Sequence, residues 1–254
     1  MEQLKKQALY GSVLIKAEEI MEFILNSNSA PSLNELSNGL NITKPTIYKI
    51  LNTLQYFGYV IRMGDSGTYC LGTKFLKYAQ KVSENFDINA IAKPYLSKLR
   101  DETNETVNLG IVQEDKIVLL AKLESAHSVN LVSRVGGYME MYSSAMGRAL
   151  LAHYPIEKIK HYIKETDFKP LTPNTVTDKN KFLELLKTTK DNGYAIDNVE
   201  NQPDIFCVGF PIIKAQRIFG AFSISAPKYR INKKVLNSII KFGKQTQLDI
   251  VSVI

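Results

Sequence analysis

The chain has 254 residues, 44% of them hydrophobic and 22% charged, which is enough for two domains with ordinary globular cores. Two cysteines exclude a disulfide-stapled scaffold, and no apolar run has the length of a membrane span or a leader, so a reducing cytoplasm is the expected location. The formal charge of +7 favours a polyanionic partner, yet residues 1–87 hold nine cations against eight acids, and 23 of the 32 cations and 17 of the 25 acids lie beyond them.

Val13, Leu14, Ala17, Ile20, Met21, Ile24 and Leu25 recur at helical spacing and predict a first helix. Ser32-Leu33-Asn34-Glu35 is a capping box, so a second helix begins at Leu33 and turns at Asn38-Gly39-Leu40-Asn41. A third starts at Thr43, with Thr43 as its cap, Pro45 in its first turn and Ile42 stapled onto Ile47. Ile47, Ile50, Leu51, Leu54 and Phe57 should face the core of this unit. Lys44, Thr46, Tyr48, Lys49 and Asn52 then point outward as a small, polar, cationic set suited to a major groove.

Gly58 to Arg62 and Thr68 to Leu71 read as two strands joined by the turn-forming run Gly64-Asp65-Ser66-Gly67, which is the wing of a winged helix-turn-helix. Arg62 joins the DNA-facing candidates. Between Lys44 and Lys81 six cations face the single acid Asp65. A small helical subdomain with lysines on its solvent side is the plainer alternative, and the wing is what argues against it. Phe75, Leu76, Ala79 and Val82 predict a connecting helix ending near Asn85. The expected organisation is a winged helix-turn-helix DNA-binding domain at 1–73, a linker helix at 74–88 and a second domain at 89–254, to which the resemblance described below assigns effector binding and oligomerisation.

The second domain opens with a helix from Asn89 to Arg100. Strand-like runs follow at Thr106 to Val112, Lys116 to Leu123, Val129 to Val132 and Tyr138 to Tyr142, with a turn at Glu114-Asp115. A helix through Gly147 to Ala152 comes next. Further helices are predicted at Pro155 to Lys164 and at Asp178 to Asn192, the latter capped by Thr177 and stopped by Gly193. Strands at Phe206 to Ile213 and Ile218 to Ser225 precede a last helix from Lys233. Such mixing without strict alternation predicts an α+β fold with an antiparallel sheet.

By several short runs the chain resembles the IclR family of transcription regulators. Lys44-Pro45-Thr46-Ile47-Tyr48-Lys49-Ile50-Leu51 resembles the family's recognition helix, and Tyr69-Cys70-Leu71-Gly72 its wing exit. Ser143 to Ala152, Gly193 to Asp197, Glu200, Cys207-Val208, Pro211-Ile212 and Ser223 to Pro227 resemble its second domain in order. Departures are Pro45 for the family's usual serine, Lys49 for arginine, Tyr142 for histidine and Asp204 for glycine, the last two expected near the pocket. Lysine lacks arginine's planar fork, so no operator sequence follows.

The resemblance implies a GAF/PAS-like effector domain with a curved antiparallel sheet. It also implies a pocket in which the amides of Ala145 and Met146 hold a carboxylate, Asp197, Cys207, Ser223 and Ser225 form a polar wall, and Leu131 and Met139 an apolar one. From the residues alone, Ser223 and Ser225 share a strand face that could be solvated, Cys207 could be an inert buried thiol, and Asp197 could cap a loop. The expected partners are double-stranded DNA bearing an inverted-repeat operator, a small carboxylate effector and further copies of the chain in a homodimer or homotetramer, with no membrane and no cofactor.

Catalysis has little support. His127, His153 and His161 form no zinc motif, and no nucleophile elbow, P-loop or CxxC occurs. The leading expectation is a ligand-controlled regulator, and the resemblance implies the repressor of a catabolic operon. The rivals are a constitutive DNA-binding protein whose second domain only assembles it, and an enzyme with an appended DNA-binding domain.

Overall fold

The computed structural model describes residues 10–64, 67–85, 87–126 and 133–254. The chain divides into two compact units, residues 1–85 and 86–254.

The first unit contains α1 (Ser12–Asn26), α2 (Leu33–Leu40), α3 (Lys44–Tyr56), β1 (Val60–Met63), β2 (Thr68–Leu71) and α4 (Lys74–Asn85). The capping box forms, with the Ser32 amide donating to Glu35 at 2.7 Å and the Glu35 amide donating to the Ser32 hydroxyl. That hydrogen bonding holds the Glu35 carboxyl below its usual range. Ile20, Ile24, Leu36, Ile47, Ile50, Leu51, Leu54, Val60 and Tyr69 build the core. Val13, Leu14 and Leu25 stay exposed, so only part of the apolar periodicity of α1 is used inside the unit.

Two expectations for α3 are corrected. Thr43 occupies the cap position, but its hydroxyl pairs with that of Thr46 at 2.9 Å instead of a backbone amide. Phe57 is 51% exposed, because at the margin of the apolar arc its ring packs edge-on against Tyr56, with the Lys74 ammonium 5.8 Å away. The wing strands pair antiparallel, Val60 with Leu71 and Arg62 with Tyr69. Tyr59 stacks on Tyr78 and shares a 2.7 Å hydroxyl contact with it, fastening α4 to the base of the wing.

The second unit is a six-stranded antiparallel sheet in the order β5-β4-β3-β8-β7-β6. Its strands are β3 (Thr106–Gln113), β4 (Lys116–Leu123), β5 (Tyr138–Glu140), β6 (Ala195–Asn198), β7 (Ile205–Lys214) and β8 (Arg217–Pro227). Helices α5 (Asp87–Thr103) and α9 (Lys233–Val253) pack with one face. On the other lie α6 (Ala145–Leu151), α7 (Ile156–Glu165) and α8 (Lys179–Asn192). Glu114 and Asp115 both adopt left-handed φ, 48° and 59°, which matches the twist of a two-residue hairpin.

β6 is a strand that the hydrophobic pattern did not reveal, since only four residues separate Gly193 from its end. The cap of α8 is Asp178, whose carboxylate accepts from the Lys181 amide, and not Thr177. The run Val129 to Val132 lies outside the described residues, and the strand expected through Tyr142 ends at Glu140.

Strand alternation decides the character of the two faces. Val107, Leu109, Phe206, Val208, Phe210, Phe222 and Ile224 point toward α5 and α9 and form one core. The residues between them, Asn108, Cys207, Gly209, Ser223 and Ser225, therefore point the other way, toward α6. Two polar rows result across the strands, Asp197–Cys207–Ser225 and Asn108–Ser223.

Candidate functional site

In the first unit, burial of Ile47, Ile50, Leu51 and Leu54 turns Lys44, Tyr48, Lys49 and Asn52 outward together. Thr46 is half-buried at the edge of that face, and Arg62 is exposed on β1. The helix presents two ammonium groups, a tyrosine and an amide with no core role, a composition fitted to a phosphate-lined groove.

In the second unit, a small open cavity lies between the polar sheet face and the start of α6. Seven residues expected there line it together: Met139, Ala145, Met146, Asp197, Cys207, Ser223 and Ser225. Leu131 lies outside the described residues. Asn108, Ser133, Ser144, Asn201, Gln202 and Ile205 complete the lining and were not foreseen. Asn108 had a legible signal, a lone amide within the apolar run Thr106 to Val112. Tyr142 and Asp204 do not line the cavity. Tyr142 is buried with its hydroxyl donating to the Lys169 carbonyl, and Asp204 supplies a left-handed turn at φ 61°, a conformation that explains a glycine habit at this position.

One end of this cavity comes from backbone. Ser144 caps α6, accepting from the Gly147 amide at 3.1 Å, and the Ser144 amide donates to the Glu140 carbonyl. The amides of Ala145 and Met146 are the first-turn donors that a helix cannot satisfy internally. Gly209 makes their position possible, since a Cβ there would overlap the Ala145 carbonyl and approach the Met146 nitrogen to 2.8 Å. Gly209→Ala is expected to cost about 1–3 kcal/mol by overpacking and to push α6 off the sheet. Equilibrium unfolding would show it.

At the opposite wall, the Asp197 carboxylate accepts from the amides of Glu200 at 2.7 Å and Asn201 at 3.2 Å. Burial nonetheless pushes its pKa up to about 6, against the lowering influence of Arg148 and those two amides. The same burial, with Asp197 nearby, pushes the Cys207 thiol up, leaving a neutral sulfur 3.1 Å from the Ser225 hydroxyl. The Asn108 amide also donates to Ser225, at 3.1 Å.

Beneath the cavity lies a buried ion pair. Arg148 is fully buried on α6, and one of its terminal nitrogens donates to both carboxylate oxygens of Glu200, at 2.8 and 2.9 Å. The other donates to the Ile196 carbonyl, and Nε has no partner. The Thr175 hydroxyl donates to the Glu200 carbonyl at 2.7 Å, and the Thr172 hydroxyl donates to the Val199 carbonyl at 2.6 Å. Ser143 reaches Asn201 at 3.0 Å. This network fixes the segment between β6 and β7 against α6, with Val199 held at φ 64°, a strained value for a β-branched residue. The resemblance noted Arg148 and Glu200 as signature residues; their pairing is visible only in three dimensions.

Residues 13–62 match the IclR helix-turn-helix domain, and residues 80–251 match the bacterial transcriptional regulator IclR C-terminal domain. The chain belongs to the IclR family. It is 31% identical to the IclR protein of Thermotoga maritima, whose crystal structure superposes with a TM-score of 0.85 over 95% of this chain and 98% of that one. The DNA-binding transcriptional repressor YiaJ of Escherichia coli is 29% identical over 250 residues, 97% of this chain and 89% of the relative. An IclR homologue from Microbacterium hydrocarbonoxydans, crystallised with 4-hydroxybenzoate, shares the fold at 18% identity, with a TM-score of 0.80 over 94% of this chain and 98% of that one.

This IclR-family chain is accordingly a DNA-binding transcriptional regulator with a helix-turn-helix unit and an α+β unit built on an antiparallel sheet. Its relatives are regulators, not enzymes. Among the described residues no helix is long and apolar enough to cross a membrane.

Proposed function

We propose that this chain represses a catabolic operon, that it binds an inverted-repeat operator as a dimer or tetramer, and that a small organic acid in the cavity of the second unit controls its affinity for DNA. One observation carries the reading: residues from β3, β5, α6, β6, β7 and β8 converge on a single cavity that sets the first-turn amides of α6 against a polar sheet face. The repressor relative supports the sign of regulation, and the homologue holding 4-hydroxybenzoate supports a carboxylate ligand. The α6 amides would take the carboxylate, Met139 the apolar part, and Asp197, Ser223 and Ser225 the polar substituents at its far end.

Calorimetry against a panel of 2-oxo, sugar and aromatic acids, followed by DNA mobility shifts at fixed salt, tests the proposal. An acid that binds and alters DNA affinity supports it. A filled cavity that rejects every acid would favour a constitutive DNA-binding protein whose second unit serves assembly alone. For a hundredfold switch the acid must distinguish the two states by about 2.7 kcal/mol.

Asp197 gives this binding a pH signature. With a pKa near 6, its protonation at pH 7 costs about 1.4 kcal/mol, and a second anion enclosed in the same cavity raises that pKa further. Acid binding should therefore take up a proton, and affinity should fall as pH rises through about 6 to 8. Calorimetry in buffers of different ionisation heat reads the uptake, and Asp197→Asn should abolish it. The raised pKa also makes folding less favourable as pH climbs from near 3.8 toward 6, a trend that thermal melts of Asp197→Asn should lack.

A further inference from the structure

From Ile205 to Leu248 the sequence contains eight lysines and arginines and no aspartate or glutamate. Four of these cations, Lys233, Lys234, Lys241 and Lys244, are exposed on α9, the longest helix of the second unit. Burial of Ile239, Gly243, Thr246 and Ile250 turns all four into one outward arc. Along the axis the stripe runs about 17 Å. Lys244 rests over Tyr194 at 5.3 Å, and among the described residues none of the four belongs to an ion pair.

Among the described side chains, three acids at the end of α5 and just beyond it already have cations of their own. Glu102 pairs with Lys98 on α5, Asp101 with Arg100, and Glu105 with Arg230. Lys233 and Lys234 also occupy the first turn of α9, where the helix dipole disfavours cations and a capping helix usually places acids. Helix stability therefore does not explain the stripe. An anionic partner does, and a duplex of regularly spaced phosphates fits a row of independent ammonium groups, which match phosphate as point charges.

We propose that the outward face of α9 is a second, sequence-independent DNA contact, which engages the phosphate backbone flanking the operator while the first unit reads the site. The proposal extends the DNA-binding role of the family and explains why the charge surplus lies in the second unit while residues 1–87 are nearly neutral.

The test uses the full chain and a duplex enriched from random sequences by that chain, prepared at about 20 base pairs and embedded at the centre of about 60. Fluorescence anisotropy is measured across a salt series for the wild type and for the quadruple variant K233Q/K234Q/K241Q/K244Q. These side chains are exposed, so circular dichroism melts should show the same folded state, with only a small shift from the lost Lys244–Tyr194 contact and the relieved first-turn charges. On the longer duplex the variant should bind roughly tenfold more weakly, and the slope of log affinity against log salt should flatten by up to about 3.6 for each chain bound. On the shorter duplex the two proteins should agree. Identical affinity and slope on the longer duplex would overturn the proposal, as would an equal loss on the shorter one. Binding of the short duplex by both proteins keeps this outcome separate from a failure of α3 to bind DNA.

Discussion

Arg148→Ala should destabilise the second unit by about 3–5 kcal/mol, the largest effect expected of any single substitution here. The guanidinium is wholly enclosed, and its removal leaves the Glu200 carboxylate buried and without its cation. A lone charge in that position costs far more than the net worth of the pair. Urea unfolding should show a lowered midpoint, and the cavity should lose its ordered wall, because Glu200, Asn201 and Asp197 are held through the same network. Replacing both partners with apolar residues, Arg148→Met with Glu200→Leu, should recover a good part of the loss. If the double variant proves as unstable as the single one, the threonine and backbone bonds to Glu200, and not the ion pair, carry the segment.

Lys49→Ala should weaken DNA binding by about 1–3 kcal/mol, a five- to 150-fold loss, while leaving the fold and small-acid binding intact. Lys49 is exposed in the middle of α3, on the surface left outward by burial of Ile47, Ile50 and Leu51, so its truncation removes a cation from the groove face and nothing from the core. Mobility-shift titration on an enriched duplex at constant salt checks the loss, and calorimetry with an active acid checks the rest. Unchanged affinity would mean that α3 lies elsewhere than in the groove. Lys49→Arg distinguishes two contacts: a phosphate contact tolerates the exchange, and a base contact changes its sequence preference.

Local rules made much of the first unit legible. A serine and a glutamate three residues apart announced the start of α2, and the 3.6-residue spacing of Ile47, Ile50, Leu51 and Leu54 oriented α3. Where a side chain had competing local partners, the same rules failed. Thr43 found the Thr46 hydroxyl and Phe57 found Tyr56 and Lys74, and neither outcome follows from spacing. In the second unit Ser223 and Ser225 had to share a face, but a strand read alone does not say whether that face meets water or a cavity.

Chain order and composition by themselves determined the sequence of helices and wing, the α+β class, the family resemblance and the residues able to form a polar wall. Tertiary structure alone decided that Asp197, Cys207 and Ser225 form one row, that Gly209 admits the start of α6, and that Arg148 meets Glu200 across 52 positions. The physical reason is range. Capping and periodicity act within a few residues and leave marks in the local sequence, whereas strand register and buried charge pairing depend on which distant segments the whole core brings into contact.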